Sequence, residues 1–451
     1  MNWESLLQPQ RLGCPKFKKD NARNEFQRDF DRIIFSPQFR RLHGKTQAFP
    51  FPETDILHTR LTHSLETASV GRSLGTLLGK DLSNRKIKTS DLEVGTLVSV
   101  ACLAHDLGNP PLGHSGEDAI REYFNSQQGE FILEGLKEEE KRDFKEFESN
   151  ALGFHFLTHS NTSVTSVTGG LGLTLPMIST YCKYPRASLI KDQNRNAVSE
   201  KKPGLLSCDL PVYMNQISNI LEIKQKKENA WFRHPLAFLN EAADDICNAI
   251  IDFEDGYKHG IISYETVVNL FKQIASDYDK SSFKNLDRII NKHDKVGYLR
   301  SKAINSLIFQ SYEVFIKNEG KILSCDFDVT LFSKIKSINT IEKILELSKE
   351  RIYSYPPILQ IEAAGFKVLP GLLDTLLTAL AEKSNTSKLN PECKKSASKV
   401  LKLIPNLYVL DYKKNQYDSI LSIVGYIAGM TDNFAIDLYR NLSGIQIPNY
   451  K

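Results

Sequence analysis

Histidine is distributed unevenly along the chain, and the strongest candidate for chemistry lies in its richest region. Five of the ten histidines fall within positions 43–114. One of them, His105, is followed by Asp106 at the end of an apolar run over 97–104 that is typical of a buried helix. Burying an imidazole beside a carboxylate costs free energy unless both groups have partners. A divalent metal ion would satisfy both groups, and a hydrogen-bonded pair in the core is the alternative.

Two further segments carry side chains that suit the same ion. His63 lies near the start of another predicted helix, where a core histidine is the alternative. Asp244, Asn248 and Asp252 follow one another at intervals of four, so they line one helix face, which is also consistent with a solvated amphipathic helix. Together the segments supply nitrogen and oxygen donors, which suit Mn²⁺, Fe²⁺, Mg²⁺ or Zn²⁺. Such an ion activates water or polarises a phosphoryl oxygen.

A second pair of residues has the spacing of an acid–base unit. His114 and Glu117 are three residues apart at the start of the next predicted helix, so their side chains can meet. A carboxylate behind an imidazole fixes its tautomer and favours the protonated form that a general acid needs. A capping interaction is the alternative. Arg60 and Lys183 lie close to these segments and could bind an anionic substrate, although an exposed cation is solvated by default.

The elements that must position these residues are helical. Apolar residues recur at intervals of three and four in several windows, with Pro and Gly breakers between them. These windows are 61–78, 93–104, 236–253, 264–276, 302–316, 340–349 and 371–381. A short β-hairpin is predicted near 163–175, where β-branched residues flank a Gly-Gly pair. The sequence therefore predicts an almost all-α fold.

Composition restricts the class of protein. The 451 residues are 41% hydrophobic and 25% charged, which is ordinary for a folded globular protein, and a net charge of +4 does not require nucleic acid as a partner. Seven cysteines without a CxxC spacing argue against a disulfide framework or a thiolate zinc site. We find no secretory signal and no apolar run that approaches the length of a membrane span. We expect a cytoplasmic protein with no membrane partner.

The ordered set of motifs resembles the HD-domain superfamily and, within it, the deoxyguanosinetriphosphate triphosphohydrolase family. The resemblance covers nearly the whole chain. It rests on 26–36 (FQRDFDRIIFS), 39–42 (FRRL), 45–47 (KTQ), 60–66 (RLTHSLE), 105–111 (HDLGNPP), 183–185 (KYP), 241–246 (EAADDI), 364–365 (AG), 371–374 (GLLD) and 429–432 (GMTD). A lone His-Asp pair is weak evidence, whereas this ordered set is very specific.

The resemblance implies an organisation and a metal site. It implies an N-terminal segment over 1–55 that packs on the core, an HD phosphohydrolase core over 56–260 and a C-terminal helical region over 261–451. It also implies one divalent ion per subunit, Mn²⁺, Mg²⁺ or Fe²⁺, held by His63, His105, Asp106 and Asp244. Asp244 is preferred to Asp245 because the family's substrate contacts lie four and eight residues after the ligand.

The same resemblance assigns the other site residues. His114 and Glu117 match the catalytic pair. The substrate-binding positions are Gln47 near the sugar 3′-hydroxyl, Arg60 and Lys183 at the phosphates, and Tyr184, Asn248 and Asp252 at the sugar. The family usually has tyrosine where this sequence has Asn248, and that ring is expected to exclude a 2′-hydroxyl. The smaller asparagine puts discrimination between deoxy- and ribonucleotides in doubt.

The implied reaction is metal-dependent hydrolysis of a deoxynucleoside triphosphate, with dGTP favoured, to a deoxynucleoside and triphosphate. Family members often form homo-oligomers such as hexamers, and some respond to nucleotides or single-stranded DNA. Two alternatives remain at this stage. One is an HD phosphohydrolase acting on monophosphates, ribonucleotides or cyclic nucleotides. The other is a regulator that senses nucleotides or single-stranded DNA without catalysis.

Overall fold

A computed structural model describes residues 1–14, 22–47, 49, 58–159, 169–194, 196–279, 283, 286–384, 391–405 and 415–446. Helices dominate this part of the chain. The α-helices are α1 (Trp3–Leu6), α2 (Glu25–Ile34), α3 (Pro37–Arg41), α4 (Arg60–Asn84), α5 (Asp91–Ala104), α6 (Gly113–Phe124), α7 (Gln127–Ile132), α8 (Glu138–Lys145), α9 (Ser149–Thr158), α10 (Leu175–Tyr181), α11 (Leu210–Val212), α12 (Pro235–Lys258), α13 (Tyr264–Tyr278), α14 (Lys292–Ser324), α15 (Ile338–Leu347), α16 (Pro356–Ser384), α17 (Pro391–Leu401), α18 (Gln416–Ala428) and α19 (Asp432–Leu442).

Shorter turns of helix connect several of these elements. They are the 3₁₀ turns Leu42–Gly44, Val198–Glu200, Ser207–Asp209, Leu286–Arg288 and Phe332–Lys334, and the π turns Tyr213–Ser218 and Ser348–Ile352. The seven windows predicted from apolar spacing are helical, and the window over 340–349 runs from α15 into the second π turn. The almost all-α prediction is confirmed.

Helices α4 and α5 form a closely packed pair that brings two predicted metal ligands together. A Cβ atom on Gly75 of α4 would lie 2.6 Å from the carbonyl oxygen of Val94, and one on Gly79 would lie 2.7 Å from the Cα atom of Asp91. Only glycine therefore permits this approach of the two backbones. The pairing places His63, in the first turn of α4, against His105, which caps the end of α5.

The core of the molecule is divided between two apolar clusters. In the first, α12 packs against α4, α5, α10 and α14, and α5 is buried almost all round. The N-terminal segment joins this cluster through Leu6, Leu12 and Ile33. In the second cluster, α6 packs against α16, which also contacts α17, α18 and α19. The division into segments 1–55, 56–260 and 261–451 stays a prediction.

Helix α16 has the length and composition of a membrane span, contrary to the expectation from the sequence. Its residues Pro356–Lys383 reach a mean hydropathy of 1.3 in the most apolar window, and half of that window is buried inside the protein. The leucines Leu369, Leu372 and Leu376 are fully buried in the second cluster. At these three positions the apolar surface is covered by protein, as it is in a core helix.

The described β-structure lies elsewhere than predicted. Strands β1 (Gln225–Lys227) and β2 (Ala230–Trp231) pair in antiparallel fashion. Of the hairpin predicted near 163–175, residues 163–168 lie outside the described residues. In the remainder, 169–172 form a glycine turn, Thr174 makes an isolated antiparallel bridge to Arg11, and Leu175 begins α10, so these described residues do not form a hairpin strand. Apolar residues cluster in that segment because α10 is buried, with Leu175 only 1% exposed.

Candidate active site

One cavity of about 440 Å³ gathers the predicted site residues. Its lining includes all of them except Glu117, which is buried behind His114. The predicted residues in the lining are Gln47, Arg60, His63, His105, Asp106, His114, Lys183, Tyr184, Asn248, Asp252 and Asp244. They come from the segment after the turn Leu42–Gly44, α4, the end of α5, the start of α6, the segment after α10, and α12. Helices far apart in sequence therefore build one site.

The predicted metal ligands form a compact group of donors. The carboxylate oxygen Oδ1 of Asp244 lies 3.3 Å from Nε2 of His63 and 3.5 Å from Nε2 of His105. Oδ1 of Asp106 lies 3.4 Å from the same His105 nitrogen. Such spacing fits the donor set of a single divalent ion. Asp245 does not line the cavity.

The protonation of His105 points the same way. Its Nδ1 lies 2.6 Å from the carbonyl oxygen of Cys102. A carbonyl can only accept, so Nδ1 carries the proton and Nε2 presents a lone pair. That Nε2 is buried and has no hydrogen-bond partner, although two carboxylates surround it. A lone pair held among carboxylates is satisfied by a cation, and this orientation by a backbone carbonyl is typical of metal-binding histidines.

Two buried cations contact the carboxylates of this group. Nη1 of Arg60 donates to Asp106 at 2.9 Å, and Nζ of Lys183 donates to Asp244 at 2.5 Å. Burial alone would raise the pKa of Asp244, but the charge of Lys183 and its histidine neighbours hold that pKa well below its ordinary value. Both carboxyls are therefore ionised, which a hard cation requires.

His114 and Glu117 form a hydrogen-bonded pair at the start of α6. Nδ1 of His114 lies 3.0 Å from Oε2 of Glu117, and Oε1 of Glu117 accepts from the backbone N–H of Ser149 at 3.0 Å. The imidazole is 80% exposed and the carboxylate only 1%. The hydrogen bond from Glu117 raises the pKa of His114. Burial would raise the pKa of Glu117, but His114 and Lys202 lower it to about 2. An imidazolium is thus favoured at the cavity wall.

Helix α12 presents Asp244, Asn248 and Asp252 to the cavity on one face. The Asn248 amide donates to Oδ1 of Asp244 at 2.9 Å and accepts from Nε2 of Gln47 at 3.1 Å. Oδ2 of Asp252 accepts from the Tyr353 hydroxyl at 2.8 Å, and burial raises the pKa of Asp252 to about 6. Asn248 therefore connects a predicted sugar contact to a predicted metal ligand.

Comparison with known proteins identifies the family. Residues 60–184 match the model of the HD domain. A protein of Synechocystis sp. named deoxyguanosinetriphosphate triphosphohydrolase-like protein is 36% identical over 459 residues, covering 99% of this chain and 100% of the relative. The chain belongs to the deoxyguanosinetriphosphate triphosphohydrolase family. A relative of the same name from Pseudomonas aeruginosa (strain LESB58) is 35% identical over the full length of both chains. The deoxyguanosinetriphosphate triphosphohydrolase of Enterobacter sp. (strain 638) is 29% identical, covering 93% of this chain and 94% of the relative.

This member of the deoxyguanosinetriphosphate triphosphohydrolase family has further cavity residues that the sequence analysis missed. Asn109 donates its side-chain amide to Asp106, and its place in the motif over 105–111 was the available signal. Lys202 and Tyr353 also line the cavity. They lie in a charged loop and near a π turn, where no local pattern marks a site, so only the packing of distant segments places them there.

Proposed function

We propose that this chain hydrolyses deoxynucleoside triphosphates, with dGTP favoured, to a deoxynucleoside and triphosphate in a metal-dependent reaction. The observation that carries the proposal is the meeting of a His/Asp donor group, buried cations and the His114–Glu117 pair in one cavity. The names of relatives that match over nearly the whole chain support it. A volume of about 440 Å³ is also in the range of small-molecule sites.

We assign His63, His105, Asp106 and Asp244 as ligands of one divalent ion. The buried and unpartnered Nε2 of His105, facing two ionised carboxylates, is the observation that supports this assignment. Nitrogen and carboxylate donors without sulfur suit Mn²⁺, Mg²⁺ or Fe²⁺. When bound, such an ion polarises a phosphoryl oxygen and lowers the pKa of water.

Arg60 and Lys183 are assigned to the triphosphate. Both side chains are buried at the cavity wall, with one cation on each of the two carboxylates Asp106 and Asp244. A guanidinium and an ammonium in such positions make charge-assisted hydrogen bonds to phosphate oxygens. They offset the charge that develops on the phosphate group during hydrolysis, and they do so without reorganisation because the protein already holds them in place.

His114 is assigned to proton transfer, and Glu117 positions it. Because Nδ1 is bound to Glu117, the proton that His114 can exchange with the substrate is on Nε2. A protonated Nε2 can donate to the departing 5′-oxygen of the nucleoside, and a neutral Nε2 can accept a proton from the attacking water. The raised pKa of His114 favours the first role.

The sugar is assigned to Gln47, Tyr184, Asn248 and Asp252. Both polar atoms of the Asn248 amide already have protein partners. The residue therefore holds Gln47 in place but leaves open the space beside C2′ that a tyrosine ring would fill. We expect hydrolysis of GTP to be measurable, because a pocket that merely tolerates an added hydroxyl discriminates by only about 10–200-fold.

The test is product analysis with the four dNTPs and GTP, each with Mn²⁺ or Mg²⁺. We expect deoxyguanosine and triphosphate from dGTP, and label from H₂¹⁸O in the triphosphate, because water attacks the α-phosphorus. The His114→Ala variant is the inactive control, and His293→Gln, at an exposed histidine outside the cavity, is the active one. Pyrophosphate or monophosphate would instead indicate another HD phosphohydrolase, and no product from any nucleotide would indicate a regulator.

Assembly and location are proposed from the family resemblance. We propose a homo-oligomer such as a hexamer, a nucleotide or single-stranded DNA effector, and a cytoplasmic location. Light scattering with and without dGTP and single-stranded DNA measures the assembly. A monomer under all of these conditions would contradict the oligomer.

A further inference from the structure

A second group of histidines and an aspartate lies outside the catalytic cavity. His155 belongs to α9, His159 follows the end of that helix, and Asp209 closes the 3₁₀ turn Ser207–Asp209. Oδ1 of Asp209 lies 3.1 Å from Nδ1 of His155 and 3.0 Å from Nδ1 of His159. The two imidazole rings stack with centroids 4.3 Å apart. None of the three residues lines the catalytic cavity.

We propose that these three side chains bind a second divalent transition-metal ion, of which Zn²⁺ is the best fit. His155 in the last turn of α9 and His159 at its C-cap present adjacent Nδ1 donors to Asp209. Tetrahedral zinc with bonds of about 2.0–2.2 Å to nitrogen and oxygen holds its donors about 3.3 Å apart. The observed separations of 3.0 and 3.1 Å are close to this value, and the two rings, now stacked at 16°, would rotate so that both nitrogens face the ion.

An independent observation on Asp209 supports the site. The side chain is fully buried, yet its Oδ2 atom has no hydrogen-bond partner. Leaving a buried carboxylate oxygen without a partner is costly, and a bound ion reached by both oxygens removes that cost. The thiol of Cys208 adds a donor within reach, since its Sγ lies 3.8 Å from Nδ1 of His155.

The surroundings favour a cation and permit its entry. The carboxylate of Asp418 interacts electrostatically with His159, and the carboxylates of Asp143 and Asp418 interact with Cys208. These carboxylates add negative charge around the three residues. The His159 side chain is 36% exposed, so an ion can reach the site from solvent. Two imidazoles with one carboxylate and a nearby thiol suit Zn²⁺ better than Mg²⁺, which prefers oxygen ligands in an octahedron.

The ion would connect the end of α9 to the 3₁₀ turn Ser207–Asp209. Helix α9 begins at Ser149, whose backbone N–H holds Glu117, and Ser149 also lines the catalytic cavity. The proposed ion therefore stabilises an element behind the catalytic pair without touching the substrate. Its role is structural.

The test is zinc stoichiometry by equilibrium dialysis of the full chain after chelator treatment, with Zn²⁺ alone as the probe. We expect two equivalents for the native protein, and one each for Asp106→Ala and for His155→Gln/His159→Gln. The His293→Gln control, at an exposed histidine away from both groups, should retain two. Two equivalents in the His155→Gln/His159→Gln variant would overturn the proposal, and the three residues would then be a metal-free cluster in which one carboxylate accepts from two imidazoles.

A second measurement protects the test from a folding defect. His159→Gln alone changes a partly exposed side chain at a helix end, and Asp209→Asn keeps the shape of the buried residue. With Co²⁺ as the probe, each substitution made in the Asp106→Ala background should abolish the d–d absorption that the Asp106→Ala protein retains, while circular dichroism stays unchanged. Equal Co²⁺ spectra in Asp106→Ala and Asp106→Ala/His159→Gln would overturn the proposal as well.

Discussion

Two groups of two histidines and one aspartate differ in what surrounds them. In the first, His63, His105 and Asp244 lie at a cavity of about 440 Å³, where the buried cation Lys183 contacts Asp244 and the buried cation Arg60 contacts the neighbouring Asp106. In the second, His155, His159 and Asp209 lie outside that cavity, and the carboxylates of Asp143 and Asp418 add negative charge beside His159 and the neighbouring Cys208. The donor atoms are of the same kind in both groups. The groups differ in whether they line the cavity and in the sign of the charges beside them.

This difference in surroundings indicates a different role for each group of donors. A cavity with cations beside the donors can accept a polyanion and stabilise charge that develops during a reaction. Carboxylates packed around partly exposed donors attract a cation but repel a phosphate group. The first group therefore suits catalysis and the second suits a structural ion.

The largest expected effect tests whether only the first group is needed for catalysis. Asp106→Ala removes a proposed metal ligand and leaves Arg60 without its partner, so dGTP hydrolysis should fall to the background of the assay, with loss of one bound ion. His159→Gln should hydrolyse dGTP at close to the native rate. Triphosphate release and metal content measure both variants. Native activity in Asp106→Ala would contradict the inference that catalysis needs the first group.

The next effect separates metal binding from proton transfer within the first group. His114→Ala should lower kcat for dGTP by about 10²–10⁴-fold, the usual contribution of a positioned acid or base. The bound ion should remain, because His114 contacts Glu117 rather than the donor group. Metal analysis beside single-turnover kinetics measures both quantities. Equal metal loss in His114→Ala and Asp106→Ala would remove His114 from its proposed role.

A smaller effect concerns the sugar. Asn248→Tyr should raise the dGTP/GTP ratio of kcat/KM, by up to about 10–200-fold, because a ring would fill the space beside C2′. Asn248→Ala is the matched control, since it removes the bonds to Gln47 and Asp244 without adding a ring. We expect Asn248→Ala to lower kcat/KM for dGTP and for GTP by the same factor. If GTP turnover is undetectable in the native protein and remains so in Asn248→Tyr, this position does not set sugar selectivity.

The pH profile should change in a defined direction when Glu117 is neutralised. Glu117 raises the pKa of His114, so the imidazolium persists below that raised pKa and is lost as pH rises through it. Glu117→Gln should therefore move the limb of the kcat/KM profile that His114 governs toward lower pH. A moving basic limb identifies His114 as the acid, and a moving acidic limb identifies it as the base. If neither limb moves, Glu117 does not act through His114.

The smallest effect tests the second group by stability alone. In the Asp106→Ala background, Zn²⁺ at one hundred times its Kd should stabilise the protein by about 2.7 kcal/mol, because it binds only the folded state. Asp106→Ala/His159→Gln should lose that increase in Tm. Calorimetry at matched Zn²⁺ concentrations measures the difference. An equal Zn²⁺-dependent Tm in the two proteins would contradict a site at His159.

Much of the fold could be predicted because its signals are local. Apolar spacing predicted the seven helices α4, α5 and α12–α16, and side-chain caps at Thr59 and Ser90 define where α4 and α5 begin. In the described part of the predicted hairpin, burial prevailed over local strand propensity, since Leu175 opens a helix inside the core. Strands β1 and β2 were not predicted, because segments of two or three residues are too short to show an alternation of apolar and polar residues.

The sequence by itself determined the groups that one turn of helix brings together. His114 meets Glu117, and Asp244, Asn248 and Asp252 share a face, because helical geometry sets contacts between residues three or four apart. The motifs also determined the family, since their order runs along nearly the whole chain.

Only the tertiary structure decided which of these local groups meet. Gln47 bonds Asn248 across 201 positions of sequence, and Tyr353 bonds Asp252 across 101. No helical period relates residues so far apart. Their meeting depends on how the apolar faces of α4, α5 and α12 pack, and the free energy of that burial is spread over the whole core rather than encoded at either residue.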